Sequence, residues 1–180
     1  VTTDYRQILN DPDIDLVIIG TRHNLHAVLV AESIQAGKNV LVEKPLAMNS
    51  TELSLVTDAF RDHPDVIAVV GFNRRYSPLV QKAKFAIHRN GTPVVINYRV
   101  NAGYISSESW VQDLEEGGGR IIGEACHFLD LISYLSGSNI KSFDAVHIPV
   151  NGRSIKSEDN IIVTLSFENG SIGVLTYTSI

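Results

Sequence analysis

The first part of the chain alternates continuous apolar runs with segments of helical spacing. Leu16-Val17-Ile18-Ile19 is an unbroken apolar run ending in Gly20. Such a run predicts a parallel strand covered on both faces. Leu25, Val28, Leu29, Ala31 and Ile34 recur close to helical spacing, and Gly37 stops that helix. Val40 to Val42 predicts a second strand. Asn49 followed by Glu52 resembles a capping box at the head of a helix that runs to about Arg61 on Leu53, Val56 and Phe60. Val66 to Val70, closed by Gly71, predicts a third strand. Before all of these, Tyr5 to Leu9 reads as the end of a helix, broken by Asp11-Pro12-Asp13. Alternation of strand and helix implies a parallel sheet with right-handed crossovers.

After Gly71 the period changes. A helix is predicted from Pro78 to His88, closed by Asn90-Gly91, and a strand from Pro93 to Ala102. Gly103 to Glu116 is a polar connection that holds the sole tryptophan, Trp110. Gly117-Gly118-Gly119 then opens a helix from Ile121 to Leu135, stopped by Gly137. Strands follow at Ile140 to Val150, Asn160 to Glu168 and Ser171 to Ile180, with Asn169-Gly170 as a hairpin turn between the last two. The fold expected is α/β: the second half of a Rossmann-type parallel sheet over residues 1–75, then an α+β, mostly antiparallel-sheet domain over residues 76–180. Three parallel strands make about half of a dinucleotide-binding domain. No GxGxxG occurs, so the phosphate-binding first half is expected to lie outside this sequence.

Composition narrows the function classes. With 44% hydrophobic and 19% charged residues, the 180-residue chain is expected to fold. A formal net charge of -5 gives no electrostatic footprint for nucleic acid. No apolar run nears the roughly 18 residues that span a bilayer, and no leader is visible. Cys126 is the only cysteine, which excludes an internal disulfide and points to the cytoplasm. The chain opens on Val1 and stops inside the strand-like run Val174 to Ile180. Part of a longer polypeptide is expected.

Candidate chemistry centres on Glu43-Lys44-Pro45, at the carboxyl end of the second strand. Ligands of open α/β sheets bind at that edge. Proline biases the residue before it towards extended backbone, which sends Lys44 out in a defined direction. A lysine there is a candidate acid, base or electrostatic clamp; the alternative is a surface lysine that caps a strand.

Taken in order, Thr21, His26, Ala36-Gly37-Lys38, Glu43-Lys44-Pro45-Leu46, Gly71-Phe72-Asn73-Arg74-Arg75-Tyr76, Gly117-Gly118-Gly119, His127 and Asp130 resemble the family of glucose–fructose oxidoreductase, inositol dehydrogenase and rhizopine catabolism (Gfo/Idh/MocA). The resemblance covers nearly the whole chain. It implies hydride transfer between NAD or NADP and a sugar, polyol or related carbonyl compound. It also implies an electrostatic role for Lys44 at the reacting oxygen and a general acid–base role for His127, since imidazole titrates near neutral pH. Thr21, His23, Glu43, Lys44 and Asn73 are implied to line the cofactor, with Arg74 at its nicotinamide end.

Two departures from the family pattern stand out. The position four residues before His127, often Asp in the family, is Gly123. Glu124 follows, where it either orients the imidazole or contacts substrate, or is a solvated surface residue. The loop after the first strand has Arg22 where the family commonly has proline; Arg22 either touches a cofactor phosphate or is solvated. His26 reads as structural and Cys126 as a small buried residue, with no metal site. Trp110 and Tyr104 either pack on a sugar ring or anchor their loop in the core. The partners expected are a sugar-like small molecule and a second copy of the chain on an open sheet face, with no nucleic acid and no membrane. The rival reading is a family member without catalysis that serves as a nucleotide- or sugar-responsive regulator.

Overall fold

A computed structural model describes residues 1–88, 91–148 and 159–179. The chain separates into two compact units: residues 1–71 with 115–117, and residues 72–114 with 118–180.

In the first unit, α1 (Tyr5–Leu9) precedes β1 (Leu16–Ile19), α2 (His26–Gln35), β2 (Asn39–Val42), α3 (Ser50–Asp62) and β3 (Ala68–Val70). The strands pair in parallel in the order β1-β2-β3, in the register Ile18–Leu41–Val69. The capping box forms at α3. The Glu52 amide donates to Asn49 Oδ1 at 2.9 Å, and the Glu52 carboxylate accepts from the Met48 amide at 2.7 Å. Gly37 ends α2 with φ +73°. Ala27, Val30, Ala31 and Ile34 of α2, with Val56 and Ala59 of α3, bury Ile19, Val40 and Val42. That packing covers one face only. On the other face Ile18 is 69% exposed, and Leu16, Leu41, Ile67 and Val69 are exposed with it. Side chains alternate across a strand, and within this chain α2 and α3 both lie against Val17, Ile19, Val40 and Val42.

In the second unit, α4 (Pro78–His88) is followed by β4 (Val95–Asn101), α5 (Cys126–Ser136), β5 (Ile140–His147), β6 (Ile161–Phe167) and β7 (Ile172–Thr178). The sheet runs β4-β7-β6-β5, with β4 parallel to β7 and the other pairs antiparallel. Residues 89–90, 149–158 and 180, which include the expected Asn90 stop and the last residues of two expected strands, lie outside the described residues. The β6–β7 hairpin turns through Asn169 and Gly170. Only Gly170 takes positive φ, +85°, so the turn is not the type I′ form that Asn-Gly favours, which needs positive φ at both central residues.

Phe128, Leu131, Ile132 and Leu135 of α5 bury Ile96, Val163, Leu165, Phe167, Leu175 and Tyr177 of the sheet. The opposite face presents Val95, Val146, Ile162 and Ile172 to solvent. Among the described residues no helix is long and apolar enough to cross a membrane.

At Gly173 the side chains of α5 pack close against the sheet. A Cβ there would lie 2.5 Å from Ile132 Cγ2 and 3.2 Å from Phe167 Cε2. Gly173→Ala is expected to destabilise the second unit by about 1–3 kcal/mol, the usual scale for overpacking. Urea unfolding followed through Trp110 fluorescence, which reports on that unit, measures it; an unchanged midpoint would show that the helix shifts without cost.

Candidate functional site

Three strand ends are stitched together at the carboxyl edge of the parallel sheet. The Glu43 amide donates to Ile19 O at 2.9 Å, and the Gly71 amide donates to Val42 O at 2.7 Å. A Cβ built on Gly20, at the end of β1, would meet nothing within 4 Å. The edge is thus open above β1, flanked by exposed Thr21 and Glu43 and half-buried Lys44. The Lys44–Pro45 peptide is cis.

His26 holds this edge from beneath. The ring is fully buried; its Nδ1 lies 2.7 Å from Pro45 O and its Nε2 lies 3.0 Å from Thr21 O. Carbonyl oxygens only accept, so each ring nitrogen faces an acceptor. One side chain therefore sets the loop after β1 and the peptide next to Lys44. The structural reading of His26 stands, with this added purpose.

His23 opens a short 3₁₀ turn, and its buried ring lies with Nδ1 2.7 Å from Gly117 O. Burial pushes its pKa down, the Gly117 bond opposes this, and the charge of Lys44 adds to the lowering. The ring is accordingly a neutral donor, and Lys44 is near enough for its charge to be felt there. Beside it Arg22 forms an ion pair with the Glu116 carboxylate, and the Asn24 amide donates to Glu116 O at 3.2 Å. These bonds join residues 115–117 to the first unit. The Arg22 side chain is 54% exposed, in line with the solvated reading, and its guanidinium pairs with Glu116 as well.

In the second unit, Asn73 and Arg74 sit on a 3₁₀ turn, Asn73–Tyr76. The Arg74 guanidinium stacks over the Phe128 ring at 4.6 Å. Arg75 grips Asp130 through two nitrogens, Nε donating to Oδ2 at 2.7 Å. Asp130 is thereby committed to joining this turn to α5. His127, on the first turn of α5, is buried and meets Phe72 edge-on at 6.0 Å and 73°.

The approach to α5 departs from the continuous helix expected. Gly118 and Gly119 have φ of +71° and +76°, a region that costs other residues strain. Ile121–Ala125 then forms a π turn, and α-helix resumes at Cys126, which is half-buried. Such turns recur at functional sites. Glu124, on this turn, is not a solvated surface residue. Its Oε2 accepts from Arg120 Nη2 at 2.8 Å, Arg120 Nε at 3.2 Å and Tyr177 Oη at 2.5 Å. Burial and this carboxylate together push the Tyr177 hydroxyl far above its usual range, so it remains a donor. Sequence reasoning missed Arg120 and Tyr177. The i, i+4 spacing of Arg120 and Glu124 was a readable ion-pair signal; nothing local marked Tyr177.

Trp110 is half-buried on a 3₁₀ turn whose Gln112 donates to Asp159 Oδ2 at 2.7 Å inside the core, while Tyr104 is exposed. The structure gathers Thr21, His23, Glu43 and Lys44 on one strand-end edge of the first unit. In the second unit it gathers Asn73, Arg74 and His127 around the start of α5, with Glu124 turned to the sheet.

Comparison with known proteins places these motifs in context. The family model described as an oxidoreductase family with an NAD-binding Rossmann fold matches residues 1–72. The model described as the GFO/IDH/MocA C-terminal domain matches residues 80–180. The uncharacterized oxidoreductase YrbE of Bacillus subtilis (strain 168) is 30% identical over 97% of this chain and 52% of its own length. Levoglucosan dehydrogenase of Pseudarthrobacter phenanthrenivorans is 29% identical over 98% of this chain and 52% of its own. A solved structure of levoglucosan dehydrogenase in complex with NADH and levoglucosan superposes with a TM-score of 0.84 at 29% identity, over 98% of this chain and 51% of that one. The chain spans about half the length of the curated relatives it matches.

Proposed function

The chain belongs to the Gfo/Idh/MocA family of oxidoreductases, and from that premise we propose that the whole protein moves a hydride between NAD or NADP and a sugar, polyol or related carbonyl compound. The observation that carries this reading is Lys44 at the carboxyl edge of the parallel sheet, beside a peptide that His26 fixes. The open space above Gly20 and the polar rim of Thr21, Glu43 and Lys44 fit the nicotinamide half of a dinucleotide. In this reading His23, Asn73 and Arg74 complete the cofactor contacts. The bound nicotinamide supplies the hydride acceptor or donor.

The chain's own residues do the rest. Lys44 places a positive charge at the oxygen that becomes alkoxide as the C–H bond breaks. His127 takes the hydroxyl proton during oxidation and returns it during reduction. The packing of Phe72 against the imidazole holds the ring in one plane for that transfer. The levoglucosan and inositol dehydrogenases among the relatives support a polyol or sugar as substrate. The apolar side chains on the bare face of the second sheet, Val95, Val146, Ile162 and Ile172, support a second copy of the chain as partner, and a lone cysteine is compatible with the cytoplasm.

The test is nicotinamide absorbance on mixing the whole protein with NAD or NADP and levoglucosan, myo-inositol, scyllo-inositol or glucose. Reduction of cofactor with at least one of them is expected. Tight cofactor binding with no turnover on any sugar or polyol would instead favour the regulatory rival.

A further inference from the structure

The turn that carries Asn73 and Arg74 has little of its own to hold it. None of its residues, Asn73–Tyr76, is buried, and no side-chain hydrogen bond caps it. What holds it is the first part of α5. The Phe72 ring meets His127 edge-on, the Arg74 guanidinium lies over Phe128, and Arg75 takes Asp130. These contacts run in step along both segments, Phe72, Arg74 and Arg75 against His127, Phe128 and Asp130. The last pair joins residues 55 apart in the chain.

Only the last of the three contacts is directional. Ring contacts tolerate sliding, whereas a planar guanidinium that meets both oxygens of a carboxylate sets distance and angle together. Arg75 Nε donates to Asp130 Oδ2 at 2.7 Å, and Nη2 donates to Oδ1. The Asp130 side chain is 8% exposed and that of Arg75 38%. Tyr134, one turn further along α5, lies 5.4 Å from the same guanidinium. Gln81 of α4 donates to Tyr134 Oη at 2.8 Å and also to Arg75 O. Arg75 is thus fixed at its backbone and at its head. Apolar side chains of similar volume often pack as stably as an ion pair. What they lack is a directed fork that sets the register of a turn on a helix.

We propose that Arg75 is a positioning residue: through Asp130 it sets the turn of Asn73 and Arg74 in register with His127, so that the cofactor contacts and the base meet the substrate in one geometry. The proposal rests on the functional reading above, in which Asn73 and Arg74 contact the nicotinamide end and His127 moves the proton. Arg75 and Asp130 touch neither cofactor nor substrate.

The experiment uses the whole protein. Its main variant is Arg75→Lys, which keeps the charge and replaces the fork by a single point. The first readout needs no cofactor: the NMR shift of the His127 Cε1 proton, identified by its absence from His127→Ala. The Phe72 ring current displaces this signal, and Phe72→Leu gives its undisplaced value. Arg75→Lys is expected to move the signal towards that value. The second readout is single-turnover reduction of NAD or NADP by levoglucosan or myo-inositol with enzyme in excess. Its rate is expected to fall by about 10- to 100-fold, the scale of a small misplacement of reacting groups. Cofactor affinity should stay within a few-fold and the urea midpoint should not move, a split that a merely stabilising pair would not give. If Arg75→Lys does not fold, the pair Arg75→Met with Asp130→Asn, which removes both charges, decides by the same readouts. An unmoved His127 signal overturns the proposal, as does a wild-type single-turnover rate. A rate loss matched by a fall in the urea midpoint, or by an equal loss of cofactor affinity, overturns it too. A wild type that turns over neither substrate overturns the functional reading and the proposal with it.

Discussion

Lys44→Met in the whole protein is expected to lower turnover by roughly two to three orders of magnitude, the usual loss on removing one stabiliser of developing oxyanion charge. Cofactor affinity, read from nicotinamide fluorescence, should stay within a few-fold. Methionine keeps most of the length and the apolar stem while deleting the charge, so the variant isolates electrostatics from packing. The surroundings argue that the backbone will not follow the side chain. The amide before Lys44 is bonded to Ile19 O, and the carbonyl after it is held by His26 Nδ1. The Lys44 charge reaches into this edge, since it contributes to the lowered pKa of His23. Two results would sink the assignment. Turnover within a factor of about three would reduce Lys44 to a strand-end surface residue, and loss of cofactor binding equal to the loss of rate would make it a binding residue only.

The alternation of apolar runs with helical spacing was enough to place β1, β2, α2 and α3, because each of those elements buries its own stripe. The Asn49 and Glu52 signal was equally local, three residues apart and self-contained. Periodicity reached its limit where an answer depended on a distant partner. The π turn at Ile121–Ala125 is a matter of hydrogen-bond register, and side-chain spacing over five residues does not distinguish it from an α turn. Arg22 was left between phosphate and solvent because Glu116 lies far along the chain. Glu124 was left between ring orientation and solvent because Tyr177 arrives from β7. Local sequence placed Lys44 at a strand end and His127 on a helix, while the start of that helix lay one turn later than expected.

His127→Ala in the whole protein is expected to lower the oxidation rate by roughly two to four orders of magnitude, the range for a general base, while Lys44 continues to supply its charge. The structure makes this a clean deletion. His127 is buried on the first turn of α5, a helix secured independently by the Arg75–Asp130 pair and by Phe128, Leu131 and Ile132 against the sheet. Removing the ring leaves a space beside Phe72, whose ring it meets edge-on. That space suits an added imidazole. If the ring acts by taking the hydroxyl proton, free imidazole should restore part of the lost rate in His127→Ala and have no such effect on Lys44→Met, which lacks a charge rather than a base. Single-turnover oxidation with enzyme in excess separates the chemical step from product release. A variant whose single-turnover rate matches wild type would remove His127 from the proton transfer. A slow variant that imidazole does not rescue would assign the residue to packing against Phe72 and leave the base to be found elsewhere.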